Sequence, residues 1–541
     1  VVFLDNSEFD ALEKEMFTTY IRRHPIHATY LGLHEFDIKM PSGKLSDKFE
    51  EIKRNKRYLK ILEKIDDSRL SPDRKINRKI ALHGIRIALF WDEEMEYYLK
   101  DPDAVSTVGD ALFPLFALDF APLERRLESI RQRLERTPLF LSEFKERVRN
   151  PVRLWTEMGI ESANRMPEFV NTIIKTARET LEPREYKAFE RTADQALMSI
   201  HAYEEFLKYL LPRADEPWIL GVTKFRRLLE LRELGFSLED ILKIGEDYLA
   251  SERKNVSKLA KKMYPRKTVE ETKRLIKGNH PKTFEDALKE YRKAIESSRK
   301  FVEKKHIATL PKNEKLIVQE TPSYLRHILP FAAYFNPPKF DKKQTGIYVV
   351  TPPESTEMMT EHNFPAIKNT SVHEGYPGHH LQLTCANSNP SLLRLLYEGP
   401  ELVEGWAHYC EEYMREKGYD KSSEMALIQS LDVVWRACRI IIDIKLCCGY
   451  MGYEEAINFL VDQVGMERSG AVAEVKRYTQ SPTYQLSYLL GKHMIKNLKE
   501  KMKKRMGRKF SDIFFHDTIL YAGSVPIVYL EQIFEERANK Q

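Results

Sequence analysis

Apolar residues recur every three or four positions along most of this chain, with charged residues between them. That period is the mark of amphipathic helices. FDALEKEMFTTYIRRHP is predicted to be one such helix, ending at Pro25. LERRLESIRQRLERTPLFLSEFKERVRNP predicts two, broken at Thr137-Pro138 and stopped by Pro151. FSLEDILKIGEDYLASERKNVSKLAKKMYP opens with Ser237 followed by Glu239 and Asp240, an acidic first turn of the kind a helix N-terminus favours. FEDALKEYRKAIESSRKFVEKK is another long helix. Strand-like runs are scarce, the best being LIVQETP (316–322) and TGIYVVTPP (345–353). Pro and Gly gather at 212–221 and 329–353, which read as loops. The expected fold class is therefore mainly α, with at most a small β element. We expect one helical catalytic domain over 1–541 with a deep cleft, divisible into two lobes at about residue 340.

Composition narrows the function classes. The 541 residues are 42% hydrophobic, enough for a sizeable core, and 31% charged, above the usual quarter. Lys+Arg number 87 and Asp+Glu 81, a net charge of +6 that is small for this length. The charges are interspersed, as in KLAKKMYPRKTVEETKRLIKGNH, so they read as salt-bridged helix surface rather than a nucleic-acid footprint. The five cysteines, Cys385, Cys410, Cys438, Cys447 and Cys448, are odd in number and clustered late, which favours buried thiols over disulfides. No apolar run reaches the roughly 18 residues of a membrane span. VVFLD is too short for a signal sequence, while a start at Val1 leaves room for a removed leader. The expectation is a cytoplasmic protein that meets neither nucleic acid nor membrane; its oligomeric state is open.

The chemistry gathers in HEGYPGHHLQ, residues 373–382. It opens like a zinc-peptidase helix, His then Glu, but the second histidine is delayed. In HExxH the two histidines sit one turn apart and the Glu points at the metal's water. Here the second candidate is His379 or His380, at i+6 or i+7 from His373. On a straight helix i+7 lies about 10.5 Å along the axis, too far for one ion. The helix must be interrupted, and Pro377 and Gly378 supply the interruption. A bulge would bring a second histidine back beside the first. His379 needs two residues absorbed and His380 three, so His379 is the favoured ligand. His380 is then a supporting donor or a substrate contact. The competing reading is that Ser371 and Glu374 form a capping box and that the histidines lie on a surface turn.

A third ligand is offered by ELVEGWAHYCEEYM, 401–414. Glu401, Glu404, His408 and Glu411 form one polar stripe on a helix that otherwise carries Trp, Ala, Cys and Tyr, as a buried helix does. A polar stripe inside a core needs partners, and a cation is a good one. Glu404 is assigned as ligand, with His408 supporting or replacing it.

These two blocks together resemble the domain of unknown function 885 family, whose signature is HE-x-x-PGHH-x-Q followed by EGWA-x-Y. HATYLGLHEFD, the stretch from PRADEPWILGVTKFRRLLE through FSLEDILKIGEDYLASE, and SPTYQLSYLLGK (481–492) extend the resemblance over nearly the whole chain. It implies a helical zinc metallopeptidase akin to the helical carboxypeptidases and angiotensin-converting enzyme. The family motif carries over to His373, Glu374, His379, His380, Gln382, Glu404 and Tyr488. The family's Gly-Gln-Ala is replaced here by Thr483-Tyr484-Gln485, and Cys447 stands where many members have a His.

The expected mechanism is attack on a peptide bond by water held at one Zn²⁺ per chain, with Glu374 as general base. Tyr488 first, or Tyr484, would donate to the oxyanion, as a late-helix tyrosine does in related peptidases. Arg477 would bind a terminal carboxylate, making the enzyme carboxypeptidase-like on short peptides. The alternatives are a helical binding protein whose metal is structural or absent, and a zinc hydrolase of other amides or esters.

Overall fold

The computed structural model describes residues 1–322, 326, 329, 331–355 and 357–540. The chain is helical almost throughout. Asn6–Arg23 is the first long helix and stops just before Pro25, as the sequence predicts; a short helix, Pro25–Tyr30, follows at once. Ser237 caps Leu238–Met263 by accepting from the Asp240 N–H, while Asp240 reaches back to the cap. Thr283 caps Phe284–Lys304 in the same place on its own helix. All five cysteines are free and buried. No described helix is long and apolar enough to cross a membrane.

Two expectations about boundaries need correction. Leu123–Phe144 runs unbroken through Pro138. Leu134, Phe140 and Leu141 on either side of the proline are buried in one apolar cluster with Leu112, Leu115 and Ile130, so packing outweighs the lost N–H. The Thr137 hydroxyl donates to the Arg133 carbonyl across the same turn. The expected loop at 329–353 holds two strands. Gln344–Val350 is the middle of a three-stranded sheet, parallel to Glu314–Glu320 and antiparallel to Ala332–Phe335. The runs read as strands at 316–322 and 345–353 thus begin one or two residues earlier than expected; Ala332–Phe335 was hidden among prolines.

The largest apolar cluster spans Ile76 to Phe534 and includes Leu402, Trp406, Leu489, Leu490 and Ile495. At its centre Pro400–Glu416 crosses Ser487–Met506. Glycine meets glycine at the crossing. A Cβ on Gly405 would stand 2.4 Å from the Gly491 carbonyl carbon, and one on Gly491 would stand 1.9 Å from the Glu401 oxygen. Both obstacles are backbone, so neither can swing aside. The crossing brings Glu404 near the turn that precedes Ser487.

Gly491→Ala should therefore lower stability by about 1–3 kcal/mol despite alanine's better helix propensity. A denaturant midpoint equal to or above the parent's would show that the helices are not held at this separation.

Candidate functional site

The motif histidines sit on two successive helices. Phe364–Glu374 is capped by Asn363, whose side chain accepts from the Ala366 N–H. Ser371 lies inside that helix and donates to the Ile367 carbonyl, so Ser371 and Glu374 are not a capping box. The helix stops at Glu374, and the next runs His379–Asn387. The interruption is a complete break rather than a bulge. Within it the Gly378 N–H returns to the Val372 carbonyl at 3.0 Å, and the Trp406 indole N–H holds the Pro377 carbonyl at 2.8 Å. The Tyr376–Pro377 peptide bond is cis. A Cβ on Gly378 would lie 1.9 Å from the His373 oxygen, so only glycine permits this return.

The return sets the His373 and His379 rings edge to face, with centroids 4.8 Å apart. His379 Nε2 stands 3.7 Å from Glu404 Oε2. His373 Nδ1 is bound by Glu411 Oε1 at 2.6 Å, and Nε2 has no hydrogen bond among the described residues. Burial disfavours the His373 cation, yet the Glu411 hydrogen bond and charge outweigh it and raise the pKa. Burial likewise penalises the Glu411 carboxylate, but the hydrogen bond from His373 holds its pKa well below the ordinary value. Asn369 steadies the other Glu411 oxygen from 3.2 Å. His379 has no such support, and burial followed by the neighbouring His373 lowers its pKa. Glu374 ends the first helix without a side-chain hydrogen bond among the described residues. The Tyr484 hydroxyl donates to Glu404 Oε1 at 3.2 Å, and burial followed by the Glu404 charge raises its pKa, so it remains a protonated donor.

Among the described residues, no group of three or more His, Cys, Asp or Glu side chains is placed so as to hold a metal ion as it stands. The arrangement is an open arc of His373, His379 and Glu404.

The other sequence candidates lie elsewhere. His380 is wholly buried on the opposite side of its helix. Its Nε2 meets Glu314 Oε2 at 2.9 Å and its Nδ1 meets the Tyr334 hydroxyl at 2.8 Å, so neither a metal nor a substrate finds a free nitrogen there. Gln382 donates to Ser524 and faces away from the arc. His408 stands behind Glu411 at 3.8 Å, buried, with both nitrogens lacking a hydrogen bond among the described residues. Glu401 pairs with Arg232 at 2.9 Å. Tyr484 lies in the turn before Ser487–Met506, whereas Tyr488 lies within that helix. The two rings still meet edge to face at 6.0 Å, with the Arg439 guanidinium over Tyr488 at 4.6 Å. Arg477 is bound to Glu474, an anion it shares with Arg439.

Two functional candidates were missed. Glu411 belongs to the polar stripe noted in the sequence, seven residues from Glu404, and that was its only signal. Glu314 had none. It opens the first strand of the three-stranded sheet and gathers the Tyr376 hydroxyl, His380 and Arg299, tying the sheet to the break between the motif helices.

Glu314→Ala would orphan two buried donors, each costing about 1–3 kcal/mol. Its unfolding midpoint should fall accordingly. A loss under about 0.5 kcal/mol would mean that this network does not hold the break.

The profile of the family described as "Bacterial protein of unknown function (DUF885)" matches residues 25–533. Two solved structures share the fold. One is a candidate lipoprotein of unknown function from Shewanella oneidensis, 23% identical, covering 98% of this chain and 99% of that one at a TM-score of 0.80. The other is a candidate lipoprotein from Colwellia psychrerythraea, 19% identical, covering 98% and 99% at a TM-score of 0.82. No curated protein matches. The chain belongs to the DUF885 family.

Proposed function

We propose that this DUF885 protein is a zinc-dependent hydrolase that cuts peptide bonds in short, flexible peptides. The observation that carries the reading is the carboxylate behind the first histidine. Glu411 takes His373 Nδ1, while the His373 ring lies edge to face with that of His379, whose own Nε2 stands 3.7 Å from Glu404. Metal-ligating histidines are commonly oriented by such a carboxylate, which fixes the tautomer. His373, His379 and Glu404 would hold the ion.

Held by these residues, zinc would supply Lewis-acid polarisation of the scissile carbonyl and a water of lowered pKa. Glu374 takes a proton from the attacking water and delivers it to the leaving amine; no protein partner competes for its carboxylate among the described residues. Tyr484, still protonated, would have to turn its hydroxyl from Glu404 to donate to the developing oxyanion. A structural metal would want a fourth protein ligand. His380, Glu401 and His408 are the nearby reserves, and each is placed elsewhere. That supports an open coordination position and hence catalysis. Arg477 is committed to Glu474, so the proposal includes no terminal-carboxylate clamp at that residue.

The test is hydrolysis of a mixed short-peptide library by the zinc-supplemented full chain, read by mass spectrometry. The parent should cleave. Glu374→Gln should keep its metal and lose about 10²–10⁴ in rate. A Glu374→Gln protein as active as the parent, or a zinc-loaded parent that cleaves nothing, contradicts the reading.

Metal content separates the two adjacent histidines. His379→Ala should lose zinc, His380→Ala should retain it while losing stability, and Glu411→Ala should bind it about 10–100-fold more weakly. Equal zinc loss from the His379 and His380 variants would remove the assignment.

A further inference from the structure

We propose that Arg436 is a specificity-determining residue of this site, receiving a carboxylate of the peptide, either the carboxyl terminus or an acidic side chain. The inference rests on the peptide-hydrolase reading above.

A polar stripe on the helix Ser423–Cys448 flanks the arc. Gln429, Asp432, Arg436, Arg439 and Asp443 follow one another at spacings of three and four and so share one face. Both ends of the stripe are tied to the proposed site. At one end Gln429 donates to the Glu411 carbonyl at 2.9 Å and to Asn369, which also holds the Glu411 carboxylate. Glu411 in turn holds His373. At the other end Asp443 accepts from the Thr483 and Leu486 N–H groups and fixes the turn that carries Tyr484, whose hydroxyl meets Glu404. Arg436 stands midway between these anchors, about 10 Å along the axis from each.

Among the described residues, the other members of the stripe are engaged and Arg436 has an edge to spare. Asp432 is approached by Asn369 Nδ2 at 3.5 Å. Arg439 donates to the Tyr478 hydroxyl at 3.0 Å, pairs with Glu474 at 3.2 Å, and lies over the Trp435 and Tyr488 rings. Arg436 turns Nη1 back onto its own helix, donating to the Asp432 carbonyl at 3.3 Å and standing 3.7 Å from the Asp432 carboxylate. Its Nε is buried without a hydrogen bond, and Nη2 makes none among the described residues. The side chain is 11% exposed, so it is largely enclosed without being sealed. The indole N–H of Trp435, whose ring centroid lies 5.9 Å from the Arg436 guanidinium, is also buried without a partner.

Nε and Nη2 form the side of a guanidinium that takes a carboxylate through two parallel hydrogen bonds. Glu411 is committed to His373 and Asn369, and Asp432 lies at the Nη1 side, so neither closes the free edge. A buried donor with no acceptor costs free energy that an arriving acceptor restores. A peptide carboxylate brings two acceptor oxygens and the complementary charge. A neutral amide end brings one oxygen and no charge, and a basic side chain would be repelled. Capture of the carboxyl terminus beside the arc would make the protein a carboxypeptidase. Capture of a side chain would make it selective for acidic peptides.

Calorimetric titration of the zinc-loaded full chain carrying Glu374→Gln reads binding without cleavage. The probes are acetylated five-residue alanine peptides. One has a free carboxyl terminus and one is amidated; a further amidated set carries one aspartate, or one asparagine, scanned through the sequence. Either the free-terminus peptide or an aspartate peptide should bind at least tenfold more tightly than its neutral counterpart, and which one does names the source of the carboxylate. Adding Arg436→Gln should erase that advantage, with zinc content unchanged and neutral-peptide affinity within twofold. Arg436→Lys keeps the charge without the fork and should retain less than a third of the advantage. It decides the matter alone if the glutamine variant fails to fold. No carboxylate advantage, one that survives Arg436→Gln, or one kept whole by Arg436→Lys overturns the proposal. Arg436-dependent binding by a protein whose parent hydrolyses nothing would contradict the hydrolase reading alone. Hydrolysis by the parent without carboxylate preference would contradict the role of Arg436 alone.

Discussion

Gly378 lies so close to the end of the preceding helix that a methyl group there would stand 1.9 Å from the His373 carbonyl oxygen. That approach turns the chain back on itself in four residues and sets His379 beside His373. The turn is held from several sides. Its own backbone closes Gly378 onto Val372, Trp406 reaches in to the Pro377 carbonyl, and Glu314 takes Tyr376 and His380. Adjacent histidines thereby acquire opposite roles. His379 opens towards Glu404, and His380 locks the new helix to the sheet.

The second constraint is the crossing of Gly405 and Gly491. It lets the Glu404 helix lie against Ser487–Met506 with no side chain between them. The turn before Ser487 is fixed by the buried Asp443, which accepts from the Thr483 and Leu486 N–H groups. Tyr484 is presented to Glu404 from that turn. The polar stripe of the Glu404 helix is then divided among distinct partners: Arg232 for Glu401, Tyr484 and His379 for Glu404, His373 for Glu411. Burying these carboxylates costs free energy that each partner offsets. For Glu404 the proposed metal ion would complete the set.

Much of this was legible from local signals. The cap at Ser237, the helix boundary at Pro25 and the two longer strands each depend on residues close in sequence. The need for a break in HEGYPGHHLQ follows from helix geometry and from Pro377 and Gly378. What was illegible depended on distant partners. Ala332–Phe335 becomes a strand because Gln344–Val350 offers it an edge, and Leu123–Phe144 continues past Pro138 because both sides pack in one core. The phase of the helix after the break decides between His379 and His380, and no local rule gives that phase. Glu411 was visible as a member of a stripe but not as the partner of His373.

The central claim is that His373, His379 and Glu404 hold one metal ion with a position left open. Anomalous diffraction at the zinc edge from crystals grown or soaked with zinc tests it most directly. A single strong peak about 2.0–2.2 Å from His373 Nε2, His379 Nε2 and a Glu404 oxygen, with no fourth protein ligand, is the result predicted. A zinc-soaked crystal with no peak between those residues, or with the ion closed off by four protein ligands, would contradict it.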